Sequence, residues 1–412
     1  MKSRLILVVV VIASIAMLTT IVFAQGKKGH LNPMVDLLAQ KKAVFGISPP
    51  NVPPPANANP GGAGRGQGAP AAAANSAPRV PDICGIMPPP PPENRGGGGG
   101  AGRGGDAARG GGGGAGRGRG GDGAARGGAN TNAPAPLPVP KDLAEATRMA
   151  LANHAADYLF NGSMEGGVDR VLPAFTEFMN AMKTSGNITK APYSHLTHPL
   201  ILKTAPIAES ADGYIQDISK QLNTGASGLM FVDVDCAKEV QVGLAAMRFK
   251  SKGGTRPEAV GMAPAYWGMN EKDYKKKADL WPLNKDGELV NWVIIETKEG
   301  VKNRRAIAAV KGVGVLWPGA GTLGGVYTVT QPDGTRVRDN AAWEEAIQQI
   351  LAACKEFNIA CGFPVSTPAD VELRLKQGFS VFVSQSWSQG SFDTIAAGRK
   401  AAGRPATNDT NR

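Results

Sequence analysis

Residues 291–323 read NWVIIETKEGVKNRRAIAAVKGVGVLWPGAGTL. An apolar strand, Trp292–Glu296, ends on a carboxylate, a short basic stretch with helical spacing follows, and a second apolar strand, Val313–Trp317, runs into a Pro-Gly-Ala-Gly turn. Apolar runs without alternation mark strands covered on both faces, so the segment reads as a β–α–β unit of a parallel sheet. Such folds place their chemistry at the C-terminal tips of strands, which makes Glu296 a candidate functional residue.

Working outward, the same alternation fills most of the chain. Strand-like runs fall at Ala43–Ile47, Ala156–Phe160, Leu200–Lys203, Gly228–Val232, Ile359–Phe363 and Phe379–Val383, besides the two already quoted. Helical patterns lie between them: Lys141–His154, Val171–Lys183, Ile215–Asn223, Ala237–Phe249, Val301–Val310, Ala341–Phe357 and Pro368–Gln377. Eight strands alternating with helices over roughly 270 residues predict a (β/α)8 TIM barrel. A doubly wound open sheet is the alternative topology for the same order of elements.

One segment interrupts the pattern. Residues 52–140 are low complexity, with Pro-Ala-Asn repeats, a run of prolines at Pro88–Pro92 and Gly-Arg-Gly tracts. This composition buries too little apolar surface to offset the entropy of ordering it, so it is expected to be disordered. It lies between the first helix and strand (32–51) and the remainder of the barrel (141–400), with a flexible tail at 401–412. It is therefore an insertion after the first strand, emerging on the catalytic face as a lid, a tether or a partner arm. Within it, VPDICGIMPPPPP (Val80–Pro92) is the part expected to dock on the rest of the chain.

The N-terminus opens with Lys2 and Arg4, then an apolar run from Leu5 to about Val22, with Val22 and Ala24 spaced for cleavage before Gln25. Residues 1–24 thus read as a signal peptide, or as an uncleaved anchor, and predict export to the periplasm or beyond without stable membrane association after cleavage. The four cysteines (Cys84, Cys236, Cys354, Cys361) form no metal-type spacing. Cys236, Cys354 and Cys361 sit in apolar patterns and are expected to be free buried thiols. The net charge of +11 includes eight Arg against four acids within 52–140, scattered in glycine without aromatic neighbours. Nucleic-acid binding needs a focused basic face, so no nucleic-acid partner is expected.

The order of blocks resembles the HpcH/HpaI aldolase/citrate lyase family, class II pyruvate aldolases built on a (β/α)8 barrel. NPMVDLLAQKKAVFG (Asn32–Gly46) is similar to that family's Asn-Pro opening, and LNTGASGLMFVDVDCAKEV (Leu222–Val240) to its Leu-Asp-x-Gly-Ala-x-Gly-Ile strand with the helix after it. IIETKEGVKNRRAIAAVKGVGVLWPG (Ile294–Gly319) is similar to its Gln-Ile-Glu-Thr, Gly-Val and Gly-Pro blocks. The resemblance implies a homo-oligomer acting on a small 2-oxo acid. It also implies a divalent metal, Mg²⁺ or Mn²⁺, held by a Glu and an Asp, an Arg that steadies the enolate and a His for proton transfer. Hard oxygen ligands suit those ions, and a cation offsets an oxyanion.

Carried over residue by residue, the metal-binding Glu is Glu296, but the Asp position is Ala320, beside Gly319, whose turn would offer backbone N–H groups to the substrate. The family's Gln is Ile294, its Arg is Lys203, and its Asp-x-Glu-His block reads Ser163-Met164-Glu165-Gly166, keeping Glu165 and losing the His. Lys203 would steady an enolate without a bidentate fork, or act as a Schiff-base lysine. Glu165 is a candidate base or ligand, and Asp233 or Asp235 a replacement ligand. His195 and His198 precede a strand, which assigns them to the stability face rather than to the site. Two readings follow: a metal-dependent carbon–carbon lyase, or an exported non-catalytic barrel that binds a small acid or a protein.

Overall fold

The computed structural model describes residues 29–51, 83–84, 137–186, 188–189, 195–207 and 213–407. Eight parallel strands form its frame: β1 (Val44–Ile47), β2 (Tyr158–Asn161), β3 (Leu200–Lys203), β4 (Gly228–Phe231), β5 (Leu289–Ile295), β6 (Val315–Pro318), β7 (Ala360–Pro364) and β8 (Val381–Ser384). Each pairs with the next, and β8 returns to β1 with Val381 opposite Val44, so the sheet closes into a (β/α)8 barrel. Closure rules out the open-sheet alternative.

Helix α1 (Pro33–Ala39) precedes the barrel, and one long helix follows each strand. These are α2 (Leu143–Ala152), α3 (Val168–Thr184), α4 (Gly213–Asn223), α5 (Ala237–Met247), α6 (Lys298–Ala308), α7 (Asn340–Glu356), α8 (Pro368–Gln377) and α9 (Gln389–Ala401). Only α9 lacks a counterpart in the sequence reading. Its glycines weaken the helical signal, yet a Cβ at Gly398 would lie 2.5 Å from the Phe45 ring, so the helix needs that glycine to sit down on β1.

Side chains alternate across each strand. One set faces the helices in the main core, while Val44, Tyr158, Phe160, Ile201, Met230, Trp292, Trp317 and Val383 fill the barrel interior. Two interior glycines make room for rings. A Cβ at Gly46 would lie 2.1 Å from the Tyr158 ring, and one at Gly362 would lie 1.9 Å from Trp317. Trp292 stacks with Trp317 at 5.3 Å and with Phe160 at 6.5 Å. The interior is a packed aromatic column, not a channel.

The N-terminal end of the barrel is closed by α1, whose Met34, Val35 and Leu38 join the interior cluster. The Asn-Pro opening explains itself here. Asn32 Oδ1 accepts the Met34 N–H as an N-cap while Pro33 starts the helix, and the Asn32 backbone N–H and amide bind Glu288 at the foot of β5. Nearby, Asp157 is clamped by Arg399 and Arg404. His198 is buried and bonded to the Asn153 carbonyl, which puts it on the stability face as its sequence position implied.

The expectation of free thiols is overturned. Cys84 is joined to Cys236, and Cys354 to Cys361, with no free cysteine among the described residues. Cys354 and Cys361 are buried as their apolar patterns implied, a state that a thiol and a half-cystine share, whereas Cys236 is partly exposed at the start of α5. Residues 1–24 and, apart from Ile83, Cys84 and 137–140, the insertion lie outside the described residues, so the signal-peptide and disorder readings fall there. No helix among the described residues is long and apolar enough to cross a membrane.

Candidate functional site at the barrel mouth

The C-terminal end of the barrel carries two separate polar groups above the aromatic column. The first is Glu296. It continues the interior-facing series Val290, Trp292, Ile294 on β5 and is only 3 % exposed. Thr297, the next residue, caps α6 by accepting the Gly300 N–H at 2.9 Å, so the chain turns from strand to helix directly beyond the carboxylate. Glu296 Oε1 accepts the backbone N–H of Asp233 at 3.1 Å. To present that N–H, Asp233 adopts φ +50°, a left-handed conformation that Asp tolerates better than most residues.

Gly319, at the tip of β6, forms the other side of the Glu296 berth. A Cβ there would lie 2.5 Å from the Glu296 Cβ and 2.9 Å from its Oε2, so only glycine leaves the carboxylate its space. The Gly319 N–H already donates to the Ile295 carbonyl at 2.8 Å, and the following residues, Ala320–Val326, form a short helix instead of an open turn. Gly319 thus shapes the site through its missing side chain, not as the free N–H donor that the turn reading suggested. Ala320 is nearly buried and contributes no ligand atom from its side chain; its carbonyl accepts the Trp343 indole N–H.

The second group is an ion pair. Lys203, at the end of β3, donates to Glu165 Oε2 at 2.8 Å, with Glu165 in the 3₁₀ turn Ser163–Gly166 after β2. The Lys203 side chain is 17 % exposed and that of Glu165 40 %, so the pair sits at the rim with the carboxylate toward water. Gln221 of α4 donates to the Lys203 carbonyl at 2.7 Å and fixes the strand end. A small cavity of about 70 Å³ opens next to it, lined by Thr204, Tyr214 and Asp217 among others. Lys203 is in register with Met230 and, through it, with Trp292, whereas Glu296 stands four residues farther along β5. Among the described residues no hydrogen bond or ion pair joins the two groups.

The acids named as replacement ligands have structural work. Asp235 Oδ1 accepts the Thr297 hydroxyl, and the Asp235 N–H donates to Glu239. Asp233 acts through its backbone. The Asp233 bond to Glu296, the aromatic floor and the Gln221 prop escaped the sequence reading; of these only the floor had a signal, in the interior glycines of β1 and β7. The one cluster of three potential ligands among the described residues is Cys84, Cys236 and Glu239, and its two cysteines are bonded to each other.

Residues 206–391 match the model of the HpcH/HpaI aldolase/citrate lyase family, a span that holds Glu296, Gly319 and Ala320 but begins just after Lys203. No curated protein matches the chain. Among solved structures, an HpcH/HpaI aldolase/citrate lyase family protein from Burkholderia cenocepacia J2315 is 20 % identical, with 59 % of this chain and 84 % of that one covered and a TM-score of 0.46. The HpcH/HpaI aldolase from Desulfitobacterium hafniense DCB-2 is 15 % identical, with 59 % and 82 % covered and a TM-score of 0.44. The citrate lyase beta subunit from M. tuberculosis, complexed with oxaloacetate and magnesium, is 17 % identical, with 65 % of this chain and 94 % of that one covered and a TM-score of 0.38.

Proposed function

Because the chain belongs, through residues 206–391, to the HpcH/HpaI aldolase/citrate lyase family, we propose that its barrel mouth performs carbon–carbon lyase chemistry on a small 2-oxo acid. The observation that carries this proposal is Glu296: a carboxylate facing the barrel axis at a strand tip, nearly buried, with one oxygen held by the Asp233 N–H and a berth that only Gly319 leaves open. A buried acid with so little internal compensation is suited to an external cation.

Glu296 supplies one hard oxygen ligand, and Ala320 supplies none where a second carboxylate would stand. Mg²⁺ keeps much of its water and is bound through one or two carboxylates together with substrate oxygens, so Glu296 alone meets the lower bound of that requirement. Glu296 would hold such an ion, and the ion would supply positive charge opposite the substrate's oxygens.

The chain's own residues account for the rest. Lys203 brings an ammonium to the rim, where it would offset negative charge gathering on a keto oxygen as the carbon–carbon bond breaks. Glu165, hydrogen-bonded to Lys203 and open to water, would take the hydroxyl proton of a 4-hydroxy-2-oxo acid as that hydroxyl becomes the carbonyl of the departing fragment, and return a proton to the enolate carbon. The stacked Trp317, Trp292 and Phe160 keep the floor dry, which strengthens each of these interactions. Export to an oxidising compartment belongs to the same proposal and is supported by the two disulfides.

Ala320 and the mutual neutralisation of Lys203 and Glu165 favour a second reading, a barrel that binds a small acid without cleaving it. Calorimetric titration with Mg²⁺ and Mn²⁺, with and without pyruvate or oxaloacetate, tests both. Metal-dependent acid binding lost in Glu296→Gln, together with turnover of oxaloacetate, is expected for the lyase. Binding without turnover would favour the second reading, and no metal-dependent binding would sink the lyase mechanism.

A further inference from the structure

We infer that the Cys84–Cys236 disulfide is a redox-sensitive tether that joins the long insertion to the loop holding Glu296. The two cysteines are 152 residues apart in sequence and their Cα atoms 5.8 Å apart in space, and Cys84 belongs to the one short island of 52–136 that the structure describes. Cys236 is not on a remote surface. It is the N-cap residue of α5, three residues after Asp233, and closes the loop that leads from β4.

That loop is bound to the tip of β5 at several points. The Asp233 N–H holds Glu296, the Asp235 carboxylate accepts the Thr297 hydroxyl, and the Asp235 carbonyl accepts the Asn303 amide at 2.8 Å. Its far end is pinned by Glu239, whose Oε2 accepts the N–H groups of Asp235 at 2.7 Å and Cys236 at 3.3 Å. Helix α6 packs against the same loop so closely that a Cβ at Gly300 would lie 2.5 Å from the Val234 carbonyl. Any pull or release at Cys236 is therefore transmitted to Asp233, which already occupies a left-handed conformation that other contacts must maintain. Both half-cystines are partly exposed, so a reductant can reach the bond.

The switching step is thiol–disulfide exchange. A dithiol reductant breaks the bond between Cys84 Sγ and Cys236 Sγ, delivers two electrons and two protons to give two thiols, and itself closes to a disulfide. In the oxidised chain Cys84 is held beside the mouth; in the reduced chain the loop keeps its hydrogen-bond partners but loses its covalent end, so those bonds open more often. The consequence for ligand binding rests on the mouth being the ligand site, as proposed above.

The test uses the full chain in four forms: oxidised, reduced by a phosphine, Cys84→Ser, and a Cys354→Ala/Cys361→Ala control that lacks only the second disulfide. Peptide mapping without reduction is expected to show the Cys84–Cys236 link, and a free Cys84 in the oxidised chain would overturn the inference. Amide exchange at Asp233–Cys236 is expected to quicken about tenfold on reduction and in Cys84→Ser, in the manner of a local opening, and to recover on re-oxidation of the reduced chain. The control should leave these amides unchanged. Equal exchange in the oxidised, reduced and Cys84→Ser forms would refute the tether. Titration of oxaloacetate with Mg²⁺ separates this from the site's function. Weaker binding in Cys84→Ser supports the coupling, equal binding refutes it, and absence of binding in every form refutes the proposed activity while the exchange result still decides the tether.

Discussion

At the N-terminal end of the barrel, Asp157 is fully buried and accepts four hydrogen bonds: from Arg399 at 2.8 Å, from Arg404 at 2.5 and 3.0 Å, and from the Phe45 N–H at 2.9 Å. At the opposite end Glu296 is nearly as buried and has one, from the Asp233 N–H at 3.1 Å. Glu288, also at the closed end, is bonded by the Asn32 N–H and paired with Lys277 at 3.1 Å. Burial favours its neutral form, but the His30 ring 3.3 Å away and the Asn32 N–H outweigh that and hold its carboxyl below the usual range. The closed end saturates its acids with partners from distant parts of the chain, which locks the topology. The mouth leaves its acid under-coordinated, the state expected where a ligand completes the shell.

The largest effect is expected from breaking the saturated end. Asp157→Ala leaves Arg399 and Arg404 without their carboxylate, and should cost about 3–5 kcal/mol in urea denaturation. A cost under about 1 kcal/mol would show that the clamp is incidental. Acid should reach the same end next. Burial, reinforced by the charge of His154, lowers the His198 pKa to about 4 against the proximity of Asp157 and the Asn153 carbonyl bond. The unfolded chain takes up this proton near pH 6.5 and the folded chain only near pH 4. Stability from neutral His198 is therefore complete above about pH 6.5 and is lost as pH falls toward 4, by about 3 kcal/mol in all. Thermal melts across that range should flatten in His198→Asn; an unchanged slope would discard the assignment.

The mouth should respond in the opposite sense. Glu296→Gln exchanges one weakly compensated acid for a neutral isostere, so stability should move by no more than about 1 kcal/mol while binding of metal and acid drops at least about tenfold. A loss of stability as large as that of Asp157→Ala would mean that both ends are built alike. The smallest effect belongs to the rim pair. A double-mutant cycle on Lys203→Met and Glu165→Gln should give a coupling of about 0.5 kcal/mol, because Glu165 is well solvated. A coupling several times larger would place the pair among the structural clamps.

The strands were legible because each is a short apolar run, and all eight appear within about three residues of their expected bounds, in line with the usual uncertainty at element ends. Glu296 was legible for the same reason, since a charge that ends such a run must lie at a strand tip. Lys203 and Glu165 were each placed at the mouth by sequence, but their mutual ion pair was not visible, because it depends on two loops 38 residues apart meeting at the rim. The cysteines misled, since local apolarity cannot distinguish a thiol from a half-cystine whose partner comes from an insertion 152 residues away.

By itself the sequence determined the alternation of eight strands with helices, the place of the low-complexity segment after the first strand, the carboxylate at the tip of the fifth strand and the alanine at position 320. These depend on local periodicity and residue identity, which survive without knowledge of neighbours. The tertiary structure alone decided how charges are shared: four donors for Asp157, one for Glu296, a lysine for Glu165, and a disulfide from the insertion beside the mouth. Hydrogen bonds and disulfides require atoms within a few ångströms, and that proximity is created only when the eight strands close.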